Sequence, residues 1–167
     1  MRKLLLIPVV TLLLLAGCKV NYSFQGGKLN EDIQTISIQY FESRAPLAAP
    51  NYSQAFTEAL RDVFLQQTNL SLVDEFGDLQ IEGDVIGYDT RPAAVTGNEA
   101  AALTRLTITV QVRCESPKDE DLSFEQSFKR FADFSASQNL ADVEEALIDD
   151  INEQLTQDVF NKIVSDW

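Results

Sequence analysis

The chain has 167 residues, 45% of them apolar, with 13 Lys plus Arg against 26 Asp plus Glu and no histidine, giving a formal net charge of −13. The excess of acid, without any basic run carrying interleaved aromatics, excludes a nucleic-acid role. The lack of histidine removes the commonest general base and the commonest metal ligand together, so zinc and Ser-His chemistry are excluded.

The amino end sets the expected compartment. Residues 1–17 follow the order of an export signal: Arg2 and Lys3, an apolar run from Leu4 to Leu15, then small residues at Ala16 and Gly17. The run is interrupted by Pro8 and Thr11 and falls short of the ~20 apolar residues that span a bilayer, so it reads as a cleaved signal. Leu15-Ala16-Gly17-Cys18 matches the lipobox of bacterial lipoprotein precursors. Cleavage is therefore expected between Gly17 and Cys18, with Cys18 as the lipid anchor through a thioether-linked diacylglycerol and a palmitate-type chain on the new amino group. Two or three acyl chains at ~0.8 kcal/mol per buried methylene hold a protein firmly on a bilayer. Lys19, Val20 and Asn21 place neither an aspartate nor an acidic cluster after the cysteine; by analogy with other lipoproteins, the periplasmic face of the outer membrane is the expected location.

Three segments follow from this reading: a signal peptide over 1–17, a lipidated cysteine and tether over 18–32, and a single domain over 33–167. Beyond residue 17 the chain keeps 11 Lys plus Arg, having lost Arg2 and Lys3, against all 26 acids, for a net charge of −15. Its 150 residues suffice for one domain with a real core. The tether contains Gly26-Gly27, and its roughly 14 flexible residues reach only about 20 Å.

Within the domain, Ile36, Ile38 and Tyr40 alternate with Thr35, Ser37 and Gln39, which predicts a half-buried strand over Thr35–Phe41. Pro46 and Pro50 bound a loop, and Phe56, Ala59, Leu60, Val63 and Phe64 predict a helix over about Ser53–Gln67. A short strand near Leu70–Val73 leads through Gly77 to a longer one from Asp78 to about Thr90. In that strand Leu79, Ile81 and Val85 share one parity and Ile86 and Tyr88 the other, so a bulge is expected between Gly83 and Gly87. From Leu103 to Cys114 the pattern is clear: Leu106, Ile108, Val110, Val112 and Cys114 on one face, Arg105, Thr107, Thr109, Gln111 and Arg113 on the other. Pro117–Asp121 reads as a charged turn, and Leu122–Phe134 as the antiparallel return strand with Phe124 and Phe128 inward.

The last element is a helix over Leu140–Val164 after Asn139, with a stripe of Leu140, Val143, Leu147, Ile151, Leu155, Val159 and Ile163. Its opposite face carries Asp142, Glu144, Glu145, Asp149, Asp150, Glu153 and Asp158 and reads as a solvated face. The expected fold is an α+β two-layer sandwich, two helices on one face of a four-stranded antiparallel-rich sheet.

Chemistry is sparse. The carboxylate clusters Asp149-Asp150 and Asp119-Glu120-Asp121 fall on open positions, and Gly26-Gly27 lacks the context of a phosphate loop. The chain is read as non-enzymatic, with no catalytic residue, metal ligand set or cofactor. Cys114, whose only companion is spent on lipid, is expected to be a buried, inert strand residue. Two features stay open. The segment from Arg91 through Thr96, Gly97, Asn98 and Glu99 to Ala102 is longer than a hairpin needs and is either a functional loop or a plain tip. Arg91, Arg105, Arg113, Lys129 and Arg130 either form a positive stripe suited to an anionic lipid head or simply balance local charge.

Several runs together resemble one family: Gln34-Thr35-Ile36-Ser37-Ile38-Gln39-Tyr40-Phe41 with Arg44-Ala45-Pro46; Phe56-Thr57-Glu58-Ala59-Leu60; Thr96-Gly97-Asn98-Glu99-Ala100 with Leu106-Thr107-Ile108-Thr109-Val110; Phe131-Ala132-Asp133-Phe134; and Gln138-Asn139-Leu140 with Ile151-Asn152-Glu153-Gln154-Leu155. Their order after a lipobox is similar to that of the LPS-assembly lipoproteins, LptE, in a divergent branch. The resemblance implies a two-helix, four-stranded sandwich that plugs the LptD outer-membrane β-barrel, assists its assembly and serves lipopolysaccharide transport to the outer leaflet. It also implies lipopolysaccharide contact through basic residues on a sheet edge or loop, a role open here to Arg91, Arg105, Arg113, Lys129 and Arg130. A net charge of −15 opposes binding a polyanion. The competing reading is a tethered regulatory lipoprotein that activates a periplasmic cell-wall synthase, for which the tether is short.

Overall fold

A computed structural model describes residues 29–30, 32–93 and 103–165. Gly17, Cys18, Thr96, Gly97, Asn98 and Glu99 lie outside the described residues. In chain order the elements are β1 (Thr35–Ile38), β2 (Glu42–Ser43), α1 (Tyr52–Gln67), β3 (Ser71–Leu72), β4 (Leu79–Pro92), β5 (Leu103–Glu115), a 3-10 turn (Glu120–Leu122), β6 (Phe124–Ser135) and α2 (Leu140–Ser165).

The two-layer α+β arrangement is present, but the sheet differs from the one expected. It has six strands and is mixed, ordered β3-β1-β4-β5-β6, with β2 joining β4 further along the same edge. β1 pairs in parallel with β3 and β4, and β2 in parallel with β4, while β4–β5 and β5–β6 are antiparallel. The parallel half arises because β1 returns to the sheet through α1, and a helical crossover brings the next strand back in the same direction. β3 is the short strand expected near Leu70–Val73, whereas β2, of two residues, is too short to leave a periodic signal.

The expected Thr35–Phe41 strand is broken for a reason of packing. Ile36 and Ile38 are buried as their alternation requires, but Tyr40 is 54% exposed and Phe41 takes the core position instead. Phe41 meets Phe56 edge-on with ring centroids 5.0 Å apart, and its backbone N–H donates to Thr57 Oγ1 at 3.1 Å. Gly83 makes the room: a Cβ there would lie 2.6 Å from Phe41 Cε1 and 2.0 Å from the Gln111 carbonyl oxygen. Ser37, on the polar parity, is nevertheless buried, and its Oγ accepts the Gly77 N–H at 3.3 Å.

In β4 the register shifts between Val85 and Gly87, within the span where parity changed. The extra residue returns Tyr88 to the core side with Leu79, Ile81 and Val85 and leaves Ile86 44% exposed rather than beside Tyr88. β5 follows its alternation throughout, with Leu106, Ile108, Val110, Val112 and Cys114 all fully buried.

Both helices cover this face and run in the same direction. Tyr52, at the start of α1, packs on Tyr88 (5.8 Å), whose hydroxyl donates to Glu144 near the start of α2 at 2.6 Å. Toward the far ends Phe64 meets Phe160 (5.2 Å), and Gln67 Nε2 donates to Gln157 Oε1 at 3.0 Å. In α2 the stripe is buried only from Ile148 onward; Leu140, Val143 and Leu147 are half-buried. Two of its acids are not merely solvated: Glu144 takes the Tyr88 hydroxyl, and Asp158 holds Arg130 through two bonds of 2.5 and 2.7 Å. Among the described residues no helix is long and apolar enough to cross a membrane.

Candidate functional site

The sheet has one face under the helices and one open to solvent, and alternation decides what the open face displays. From β5 come Arg105, Thr109, Gln111 and Arg113, while Thr107 on the same side is buried. The register sets Arg105 opposite Asp133 of β6 and Arg91 of β4, and Arg113 opposite Glu125 of β6 and Glu82 of β4. Cross-strand side chains in these positions are within reach of one another, and each β5 arginine pairs with the carboxylates set opposite it.

Arg105 holds Asp133 in a two-pronged contact, Nε to Oδ1 at 2.7 Å and Nη2 to Oδ2 at 2.8 Å. Its guanidinium also stacks over the Phe131 ring, 3.6 Å from the centroid. The Arg105 hydrogen bond holds the Asp133 carboxyl below its usual range and lifts Arg105 in turn. Arg113 is bridged between two carboxylates, Glu82 at 3.0 Å and Glu125 at 3.4 Å, and their charges raise its pKa. Arg91 bonds Asp89 on its own strand at 2.8 Å, and Arg44 of the loop after β2 bonds Asp84 at 2.9 Å. Among the described residues Lys129 is the one of the five candidate cations that makes no ion pair.

Arg130 does not belong to this face. Neighbouring residues of a strand point oppositely, and Arg130 turns under the sheet to Asp158 of α2 while Lys129 points out. The five residues grouped by sequence are therefore four outward cations and one helix latch. Those four, with Arg44, face seven carboxylates on the same side, Glu42, Glu82, Asp84, Asp89, Glu115, Glu125 and Asp133. The open face is a ladder of cations set among a small excess of carboxylates rather than a positive stripe.

That pairing does not make the arginines inert. The side chains of Arg91, Arg105 and Arg113 are 80%, 39% and 47% exposed, and ion pairs in water are worth ~0–1 kcal/mol each. A phosphate group, which matches guanidinium geometry in the same two-pronged way, exchanges with such a carboxylate at little cost. The carboxylates of the ladder and Phe131 escaped the sequence reading. The alternation of Phe124–Ser135 carried the signal, since Glu125, Ser127, Lys129, Phe131 and Asp133 share one parity.

Elsewhere an open groove of about 400 Å³ along the α1–α2 seam is lined by Ala55, Ala59, Asn152 and Thr156 with Asp62, Asp149 and Glu153 at its margin. Its acids repel an anionic ligand, and among the described residues no group of His, Cys, Asp and Glu is arranged to hold a metal ion. Cys114 lies on the core side, fully buried, and burial pushes its thiol up to about 12.

No curated protein sequence matches the chain significantly. Among solved structures, a Xanthomonas campestris protein, 13% identical, superposes with a TM-score of 0.55 over 80% of this chain and 85% of its own, which shows the shared fold. Rare lipoprotein B from Shewanella oneidensis is 11% identical with a TM-score of 0.44, covering 73% of this chain and 90% of that one. A minor lipoprotein from Acinetobacter baumannii is 18% identical with a TM-score of 0.42 over 72% of this chain and 92% of its own. The family model for lipopolysaccharide assembly, LptE, matches residues 33–163, nearly the whole described domain, and the chain therefore belongs to the LptE family.

Proposed function

We propose that this protein is a non-enzymatic outer-membrane lipoprotein, acylated at Cys18, that seats in an LptD-type β-barrel and serves the transport of lipopolysaccharide to the outer leaflet. The observation that carries this reading is the family match over 33–163, which falls on a single α+β layer pair joined to a lipobox by a short tether. The outward ladder is the surface assigned to the barrel wall or to lipopolysaccharide phosphates. Its Arg91, Arg105 and Arg113 exchange carboxylates for phosphate and Lys129 adds a charge without a carboxylate to release, while the acids of α2 face away from that ligand.

The carboxylates that surround the ladder's cations favour the barrel over free lipopolysaccharide as primary partner. A net charge of −15 beyond residue 17 repels a polyanion at long range, so lipid contact follows seating rather than preceding it. Depletion in the native cell tests the proposal: folded barrel should fall and lipopolysaccharide should accumulate inside. Unchanged barrel together with normal surface lipopolysaccharide would refute it. A mild-detergent pulldown from outer membranes should recover the barrel with the tagged chain, and Arg105→Glu with Arg113→Glu should weaken that recovery.

A further inference from the structure

Phe76 stands apart from every other aromatic residue described. It is 85% exposed and has a φ of 56°, and it is the one non-glycine residue with positive φ among the described residues. A bulky side chain is disfavoured in the left-handed region, and an exposed phenyl ring gains nothing from water. The loop nonetheless holds it there from both sides. Before it, Val73 N–H donates to the Ile36 carbonyl at 2.9 Å and Gln39 Nε2 to the Asp74 carbonyl at 3.0 Å. After it, Gly77 N–H donates to Ser37 Oγ and Asp78 N–H to Thr35 Oγ1 at 2.9 Å. Gly77 lies so close on β1 that a Cβ there would be 2.5 Å from the Ser37 nitrogen.

The same loop sits where the chain enters the domain. The Asp78 carboxylate accepts the N–H groups of Gln34 (2.9 Å) and Thr35 (3.0 Å) and pairs with Lys118 at 2.8 Å. Lys118 also donates to the Asp32 carbonyl at 2.7 Å. Phe76 is thus two residues from the knot that ties down the start of β1. If Cys18 carries lipid, about 14 residues reaching roughly 20 Å connect that knot to the bilayer. The opposite end of β4, 14 residues along, lies roughly 45 Å away at ~3.3 Å per residue.

We propose that Phe76 is a membrane-contacting anchor that inserts into the interface of a zwitterionic phospholipid surface and fixes the orientation of the tethered domain. The proposal rests on the Cys18 anchor of the preceding section. Asp74 and Glu75, both exposed, precede Phe76 and repel anionic headgroups, which selects the zwitterionic surface. A loop backbone fixed in advance loses little freedom on insertion, so the ring serves as a second, orienting contact beside the acyl chains.

The test uses the full processed chain bearing Phe76→Trp with Trp167→Phe, which removes the single native tryptophan, on phosphatidylcholine vesicles with and without brominated acyl chains. Bromine should quench the emission at least twofold, and added anionic lipid should reduce the quenching. The same double change with the tryptophan placed by Ala136→Trp, in the turn at the far end of β6, should show no quenching. Equal emission with and without bromine, or quenching equal at both positions, would overturn the proposal, as would a shift seen only when barrel protein is added. Mass analysis separates the anchor from the wedge. A chain unmodified at Cys18 refutes the anchor, and coupling Cys18 to a maleimide lipid, with Cys114 protected by burial, then decides the Phe76 contact by the same quenching.

Discussion

Replacing Gly83 with alanine tests the packing that breaks the first strand. The added methyl would sit 2.0 Å from the Gln111 carbonyl oxygen and 2.6 Å from Phe41 Cε1, against an ordinary contact of 3.4 Å or more. The oxygen belongs to the central ladder between β4 and β5 and cannot retreat without parting the strands. Overpacking a well-filled site costs ~1–3 kcal/mol, and a backbone clash of this depth belongs at the top of that range. For a domain of this size ~3 kcal/mol lowers the thermal midpoint by roughly 10 °C. The assay is thermal unfolding by circular dichroism of the unacylated Cys18→Ser chain expressed without residues 1–17. Phe41→Leu on top of Gly83→Ala should recover only a part, since the carbonyl contact persists. Gly87→Ala is the internal comparison: its Cβ would meet Thr109 side-chain atoms at 3.2 Å, a contact that small shifts relieve, so its midpoint should fall by no more than about 3 °C. A Gly83→Ala midpoint within 2 °C of the parent, or equal losses at the two glycines, would refute the reasoning.

The Asp78 carboxyl is held well below the usual range, first by its hydrogen bond with Lys118 and then by the Gln34 N–H. A depressed carboxyl contributes stability that is present above its unfolded value of about 3.9 and is lost as pH falls through its folded pKa. The thermal midpoint should therefore drop below about pH 4, and Asp78→Asn should flatten that drop; an unchanged slope argues against the knot. Tyr88→Phe removes the bond to Glu144 and should cost about 1–2 kcal/mol in a denaturant titration, while Glu144→Gln, which keeps an acceptor, should cost less. Cys114 is buried and its thiol is raised to about 12, so an aromatic disulfide reagent should titrate no thiol in the folded Cys18→Ser chain and one after denaturation. In Arg105→Glu and Arg113→Glu the thermal midpoint should stay close to the parent because the pairs are exposed, while barrel recovery falls; a collapse of both would make these residues structural.

Much of this architecture is legible in the chain as written. Strict alternation over Leu103–Cys114 sets which side of β5 faces the core, because a side-chain period of two leaves no freedom once one face must be buried. The stripe through Phe56, Leu60 and Phe64 likewise sets α1 over that face, and the change of parity after Val85 marks the bulge that returns Tyr88 inward. The separation of Lys129 from Arg130 onto opposite faces was available from the same period, although the two read together as a basic pair.

What required the tertiary structure is every feature that depends on partners distant in sequence. Arg105 and Asp133 are 28 residues apart, and Arg113 lies 31 from Glu82; only the strand register turns those cations from a positive stripe into a ladder of ion pairs. Tyr40 and Phe41 are adjacent and both aromatic, and the space left by Gly83 decides which one is buried. The parallel pairing of β1 with β3 and β4 depends on where α1 returns the chain, and the backbone on either side of Phe76 is held by hydrogen bonds to Ile36, Ser37 and Thr35 that no local pattern encodes. Periodicity reports which side of an element must leave water; it carries no information about which residue, dozens of positions away, meets it there.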